Sequence, residues 1–140
     1  MGQRVITTRR PASDGTPLQF NPETAGASHF SRLNEATPNA SNYVQSNVSG
    51  NRDLYGYAAL GFNPTTITSV NLKTLISNPG PTTINFKNGC KSGAVTSDGP
   101  ATPCVNALTV QQQPYDQNPN GSVPWTQATL DAAQFGVSVA

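Results

Sequence analysis

The residues of this chain that could do chemistry are few, and their spacing matches no standard catalytic motif. His29 is the only histidine, and Ser28 precedes it. A nucleophilic triad needs a nucleophile, a histidine base and an orienting acid, and the Gly-x-Ser-x-Gly elbow of many hydrolases does not occur in the sequence. We therefore interpret His29 as a structural or surface residue.

The carboxylates are scattered along the chain rather than grouped. They are Asp14, Glu23, Glu35, Asp53, Asp98, Asp116 and Asp131. A glycosidase needs two carboxylates that face each other across a cleft. Glu35 and Asp53 are the candidate pair for that role, and ion pairs with Arg32 and Arg52 are the favoured alternative. The sequence thus predicts no catalytic residues and a protein that is not an enzyme.

Cys90 and Cys104 are the only cysteines and form the candidate disulfide. A bond between them would restrain residues 90 to 104, by about 3 kcal/mol in the chain-entropy model. The alternatives are two free thiols in a reducing cytoplasm, or a bond to a neighbouring subunit. Two cysteines and one distant histidine are a poor zinc ligand set, so we predict no metal and no cofactor.

The composition favours a surface made of neutral polar groups. Only 11% of the residues are charged, against about 25% in typical proteins, and the net charge is +1. Such a chain has no large field to recruit nucleic acid or anionic lipid, so neither is an expected partner. The N-terminus lacks the apolar region of a signal peptide, which predicts synthesis in the cytoplasm. A neutral surface also packs against other proteins without dehydrating many ions.

Residues 1–28 are predicted to form an extended N-terminal arm. Three prolines, Pro11, Pro17 and Pro22, argue against regular structure there. Val5 and Ile6 could add a short strand to the sheet edge of a neighbour, and Arg9 and Arg10 make the arm mildly basic. These four residues and Trp125 are the candidate interface residues. The alternatives are a disordered tail, or an arm that docks on its own domain.

Residues 29–140 read as one domain of short strands separated by turns. Strands are predicted at 30–33, 42–45, 54–60, 67–77, 82–87, 105–112 and 135–139, and residues 88–103 as a Gly/Ser/Pro-rich excursion. Leu108 and Val110 are predicted to point inward. Thr126 can cap a short helix over Gln127–Ala133. The predicted fold class is all-β, an antiparallel jelly-roll-like β-sandwich with an N-terminal arm and one short helix near the C-terminus.

Two segments resemble small virion structural proteins of tailed bacteriophages. The first joins Asn34-Glu35-Ala36-Thr37-Pro38 to Tyr43-Val44 and Asp53-Leu54-Tyr55, and the second is the closing Pro124-Trp125-Thr126, Leu130 and Phe135–Ala140. The resemblance covers residues 30 to 140. It departs at residues 88 to 104, where such proteins commonly have a charged hairpin.

The resemblance implies a non-enzymatic structural component of a tailed-phage particle. The expected role is a decoration or cement protein on the capsid, or an accessory protein of the neck or tail. It would act by surface complementarity and through the arm. The expected partners are other virion proteins and further copies of the chain in a homo-oligomer, and the expected location is the virion.

A carbohydrate-binding adhesion module of a tail or head fibre is the alternative function. Aromatic faces stack on sugar rings, and clustered aromatic side chains could present such a platform to a cell-surface glycan. The candidates are Tyr43, Tyr55, Tyr57, Tyr115 and Trp125. Exposed rings would favour this function, whereas buried rings would favour packing.

Overall fold

The computed structural model describes residues 4–37 and 39–140, which form antiparallel β-structure with one short α-helix. Pro38 of the predicted turn and residues 1–3 of the predicted arm lie outside the described residues. The strands are β1 (Pro11–Leu18), β2 (Asn21–Pro22), β3 (Val44–Gln45), β4 (Arg52–Tyr57), β5 (Asn71–Ile76), β6 (Ile84–Ser92), β7 (Val95–Asp98), β8 (Thr102–Cys104), β9 (Thr109–Pro114) and β10 (Gln134–Val139). The prediction of an all-β fold is confirmed at this level.

The helical elements are short. A 3-10 turn spans Phe30–Arg32, where the sequence predicted a strand. Helix α1 spans Gln127–Ala132, and Thr126 caps it as predicted, with its hydroxyl accepting from the backbone N–H of Thr129 at 3.2 Å. In the described part of the chain, no helix is both long enough and apolar enough to cross a bilayer.

The main sheet has the strand order β1-β4-β10-β6-β7, with β8 pairing beside β6. The C-terminal strand β10 lies at its centre, with Phe135 opposite Tyr55 on one side and Cys90 on the other. Cross-strand partners point to the same face of a sheet. These three side chains therefore form one row on the face that carries the core.

Strand β1 corrects the prediction that prolines exclude regular structure before residue 28. Pro11 and Pro17 both lie within it, and it pairs with β4 through an irregular register. The sheet tolerates them because β1 is an edge strand, where a missing N–H removes few ladder hydrogen bonds. Consequently the chain pairs with the main sheet from Pro11 onward.

Residues 88 to 98 are also more regular than the sequence predicted. They belong to the β6–β7 hairpin, whose two-residue loop is Gly93-Ala94. Gly93 has φ +58°, as the first position of a type II′ turn requires, so its glycine allows a tight hairpin rather than a loose loop. The composition of this segment reflects turn chemistry.

The strands β5 and β9 form a two-stranded ribbon against the core face of the main sheet. Leu72 on β5 packs into the core, and the Thr74 hydroxyl donates to the Asn88 side chain on β6 at 2.8 Å. The prediction that Leu108 and Val110 point inward is wrong, because both are exposed. Strand β9 begins only at Thr109, and its inward positions are 109, 111 and 113, which alternate with exposed ones.

The core lies between the main sheet, the ribbon and α1. Phe135 is at its centre, in edge-on contact with Tyr57 and Tyr115 and in tilted contact with Trp125. Leu130 on α1 and Ala133, which directly follows the helix, close the core on this side. The indole N–H of Trp125 donates to the Tyr115 carbonyl at 2.7 Å, which satisfies its one polar atom within the core.

Candidate functional site

Asp53 is the most completely buried acidic residue of the described chain, with no exposed surface. Its Oδ1 accepts the backbone N–H groups of Gln19 at 2.6 Å and Phe20 at 2.8 Å. Its Oδ2 accepts the Tyr55 hydroxyl at 2.8 Å and lies 2.6 Å from Nδ1 of His29. Four donors therefore surround one carboxylate, which offsets the cost of burying it.

Two members of this cluster are close in sequence on β4, and the third comes from a distant part of the chain. Asp53 and Tyr55 are two residues apart on one strand, so their side chains share a face. His29 reaches them from the residue just before the 3-10 turn. The cluster thus fastens residues 19–29 to the main sheet.

The electrostatics of the cluster keep Tyr55 protonated. Burial, together with the neighbouring Asp53 charge and hydrogen bond, raises the pKa of Tyr55 far above its ordinary value. Tyr55 therefore remains a hydrogen-bond donor to Asp53. Asp53 holds the His29 ring as the acid of a triad does, but both carboxylate oxygens also hold structural donors.

The predicted ion-pair partners of Glu35 and Asp53 are wrong. Arg32 pairs with Glu23 at 3.0 Å, and Arg52 pairs with Asp98 at 2.6 Å. Glu35 instead accepts from the Asn42 side chain. The two carboxylates considered as a glycosidase pair thus have separate partners.

Four of the five candidate interface residues lie before β1, and they divide into two groups. Val5 is 60% exposed, Ile6 is 98% exposed, and Arg10 is exposed as well. Arg9 is instead held by its own domain, since its Nη2 donates to the Tyr57 carbonyl at 3.1 Å and lies 3.3 Å from the Asp131 carboxylate. Burial lowers the pKa of Arg9, although the Asp131 charge opposes this.

Trp125 does not fit its role as a candidate interface residue, because it is only 3% exposed. Its ring is a core element rather than a surface anchor. Tyr55 and Tyr115 are buried too, and Tyr57 is half-buried. Of the five candidate sugar-stacking rings, Tyr43 alone is exposed. The predicted aromatic platform is therefore not assembled on the surface.

The two cysteines are free thiols in this structure. Cys104 on β8 lies opposite Ile84 on β6, whereas Cys90 is six residues further along β6. A strand rises about 3.3 Å per residue, so about 20 Å separates the two positions along β6. This distance corrects the predicted pairing, since bonded cysteines have Cα atoms less than about 7 Å apart. Cys90 is fully buried, and burial raises the pKa of its thiol to about 12.

A cleft of about 880 Å³ with an apolar floor lies on the core face of the main sheet. Phe86, Val137 and Val139 contribute to its floor. One wall is the segment that contains β3, and the other is β5 with the turn that follows it. Its volume is within the usual range for ligand sites, and Tyr43 lies in its wall.

Among residues 4–37 and 39–140 no group of three acidic, histidine or cysteine side chains could hold a metal ion.

Sequence reasoning missed the Asp53 cluster because its members are far apart in the chain. The one local signal was the Asp-x-Tyr spacing on a predicted strand, which places both side chains on one face. The link to His29 depends on the fold.

Comparison of the chain with protein-family models, curated proteins and solved structures finds no match in any of the three.

Proposed function

We propose that this chain is a non-enzymatic structural component of a tailed-phage particle. In this proposal it is a decoration or cement protein on the capsid, or an accessory protein on the neck or tail. It acts by surface complementarity, and its partners are other virion proteins and further copies of itself. We also propose that the antiparallel strands form a jelly-roll-like sandwich, in which the β5–β9 ribbon is part of the second layer.

One observation carries the proposal, the apolar strip on the outer face of the β5–β9 ribbon. Leu75 and Val110 are cross-strand partners, so their exposed side chains adjoin, and exposed Leu108 lies two residues before Val110. Contiguous apolar surface on a soluble domain is typical of a protein–protein contact. The strip therefore supports a role in which this face is covered in an assembly.

The Asp53 cluster supports the non-enzymatic part of the proposal. Each oxygen of Asp53 already receives two donors, and two of these donors are backbone N–H groups that hold the N-terminal segment in place. A catalytic carboxylate needs an oxygen that can reach a substrate or a proton. This arrangement favours a structural role.

The arm in this proposal is shorter than the sequence predicted. Arg9 and β1 are bound to the domain, which leaves the residues before Arg9 to reach a neighbour. A deletion that tests the arm should therefore end before Arg9. Removing residues 1–8 should leave a folded protein, whereas removing residues 1–20 would delete an entire strand.

The copy number of the chain in purified particles tests this function. Quantitative mass spectrometry against the major capsid protein would give hundreds of copies for a decoration protein. A few to a few dozen copies would indicate the neck, a fibre or the tail tip. Absence from purified particles would overturn the proposal.

A carbohydrate-binding adhesion module is the second candidate, and one observation favours it. Tyr43 is 42% exposed and lies in the wall of the cleft, where neutral polar side chains such as Asn42, Gln45 and Asn78 are also present. A glycan array with wild-type protein and Tyr43→Ala would test it. Binding that is lost in Tyr43→Ala would favour the adhesion function over capsid decoration.

A further inference from the structure

Two strands present their edges to the cleft. The residues from 42 to 47 on one side and from 72 to 80 on the other line it without a break. Successive side chains of a strand point to opposite faces, so an unbroken run of lining residues shows that the strand is seen edge-on. The cleft therefore runs between the edge of β3 and the edge of β5.

Both edges carry unpaired backbone groups. The Tyr115 N–H donates to the Val70 carbonyl at 2.7 Å at one end of the ribbon, and the alternation of an antiparallel ladder then directs Lys73 and Leu75 away from β9. The Glu23 N–H donates to the Tyr43 carbonyl at 3.1 Å, which leaves the Val44 backbone directed away from β2. Within the described residues, β5 pairs only with β9, and β3 only with β2. A strand placed between them would find hydrogen-bonding partners on both sides.

The chain also carries a segment suited to fill such a gap. Residues 5 to 8, Val-Ile-Thr-Thr, are all β-branched, the type most enriched in strands. They form no strand in the structure, and Ile6 is almost fully exposed. Insertion in the cleft would move Val5 or Ile6 from water onto the apolar floor of Phe86, Val137 and Val139.

The contacts of Arg9 favour the cleft of a second copy over the chain's own. Arg9 is bound to the Tyr57 carbonyl and to Asp131, and residues 4–7 line a separate groove beside the loop of residues 60 to 71. Either route requires the segment to leave this groove, but entry into its own cleft would also strain the Arg9 contacts. A segment from another copy can enter while its own Arg9 stays bound.

The charges of the segment complement one wall of the cleft. Glu35 lies in the wall beside β3 and makes no ion pair among the described residues. Arg4 and Arg10, which flank residues 5 to 8, likewise make none there. The Arg32 charge in the same wall is neutralised by Glu23. Lys73 in the opposite wall favours an orientation that keeps the arginines on the Glu35 side.

We propose that residues 4–8 of one copy insert between β3 and β5 of a second copy and join β2-β3 and β5-β9 into one sheet. This inference rests on the proposed function for its role in assembly, but it concerns purified full-length protein. The inserted strand gains main-chain hydrogen bonds from both edges, as in other cases of strand addition. Reciprocal exchange gives a dimer, and successive exchange gives a larger assembly.

Analytical ultracentrifugation of the full chain over a concentration series tests the proposal, with Ile6→Asp as the variant. Ile6 is nearly free of contacts, so Ile6→Asp should fold normally and weaken self-association at least tenfold. Val123→Asp is the matched control, because Val123 is 48% exposed and lies neither in the segment nor in the cleft. Wild-type protein that stays monomeric, or equal association by Ile6→Asp and wild type, would overturn the proposal.

Hydrogen exchange locates the insertion. The amides of Val44, Lys73 and Leu75 should exchange more slowly as protein concentration rises, and this protection should vanish in Ile6→Asp. Protection independent of concentration in a monomer would mean that the segment fills its own cleft, and would also overturn the proposal. Incorporation of Ile6→Asp into particles is a separate measurement. Normal incorporation without self-association would leave the proposed function standing while this inference fails.

Discussion

Arg52 and Asp98 are joined by two parallel hydrogen bonds, 2.6 Å from Nη1 to Oδ1 and 2.7 Å from Nη2 to Oδ2, which pass over the backbone of Gly89. A Cβ atom at Gly89 would lie 2.8 Å from Arg52 Nη1 and 2.9 Å from Asp98 Oδ1. The pair ties β4 to the end of β7 across the two strands between them. The hydrogen bond to Asp98 raises the pKa of Arg52. The glycine thus leaves room for an ion pair that spans the sheet.

Gly89→Ala should lower the free energy of unfolding by about 1 kcal/mol, because the new methyl group displaces the ends of both side chains. Urea unfolding followed by Trp125 fluorescence measures the change. In an Asp98→Ala background the same substitution should cost almost nothing, since the pair is already lost. An equal cost in both backgrounds would mean that Gly89 serves another purpose.

Asp53→Asn should be the most destabilising isosteric change in the chain, at about 3 kcal/mol. The amide nitrogen of Asn cannot accept hydrogen bonds. If it replaced Oδ1, the N–H groups of Gln19 and Phe20 would face a donor. If it replaced Oδ2, His29 and Tyr55 would. Urea unfolding again gives the value. Asp116→Asn is the control, because Asp116 is exposed and, among the described residues, hydrogen-bonded only to the Ser69 hydroxyl. Its effect should be within about 0.5 kcal/mol.

The two thiols should differ sharply in reactivity in the native protein. Cys104 is half-buried and should react with iodoacetamide in the folded state, whereas Cys90 is fully buried and should react only on unfolding. The raised pKa of Cys90, about 12, slows it further, because the thiolate is the nucleophile. Intact mass spectrometry should show one label per native chain and two after denaturation. Two hydrogens gained on reduction would instead reveal the disulfide.

Stability should fall as the solution becomes alkaline. Burial raises the pKa of Cys90 from 9.0 and that of Tyr57 from 10.0, in each case to about 12. In the unfolded chain these groups lose protons from about pH 9 upward, whereas the folded chain retains them. These two groups should therefore leave the free energy of unfolding unchanged below about pH 8, and each should lower it by up to about 1.4 kcal/mol per pH unit between its two pKa values.

Urea midpoints at pH 8 and pH 10.5 measure this decline, and Cys90→Ala and Tyr57→Phe should each flatten it. Burial also raises the pKa of Tyr115, so a residual slope should persist in both variants. A midpoint unchanged between the two pH values would contradict the placement of these side chains in the core.

Local patterns predicted the elements whose structure depends on neighbours in sequence. The final strand, the strand predicted at residues 67–77 and the helix capped by Thr126 were all found close to their predicted places. In each case an alternation or a cap within a few residues carries the signal. The prolines of β1 and the glycine-rich β6–β7 segment misled the prediction, since an edge position and a type II′ turn accommodate residues that usually disrupt strands.

The sequence by itself therefore determined an all-β chain with one capped helix and little charge, because period-two alternation, turn residues and composition are local properties. Only the tertiary structure decided which side chains meet. It brought His29 to Asp53, separated Cys90 from Cys104, and buried Trp125 while leaving Ile6 in water. The physical reason is that strand order and register fix these neighbours. They are set by pairings between β4, β6 and β10, which are distant in sequence and leave no local pattern.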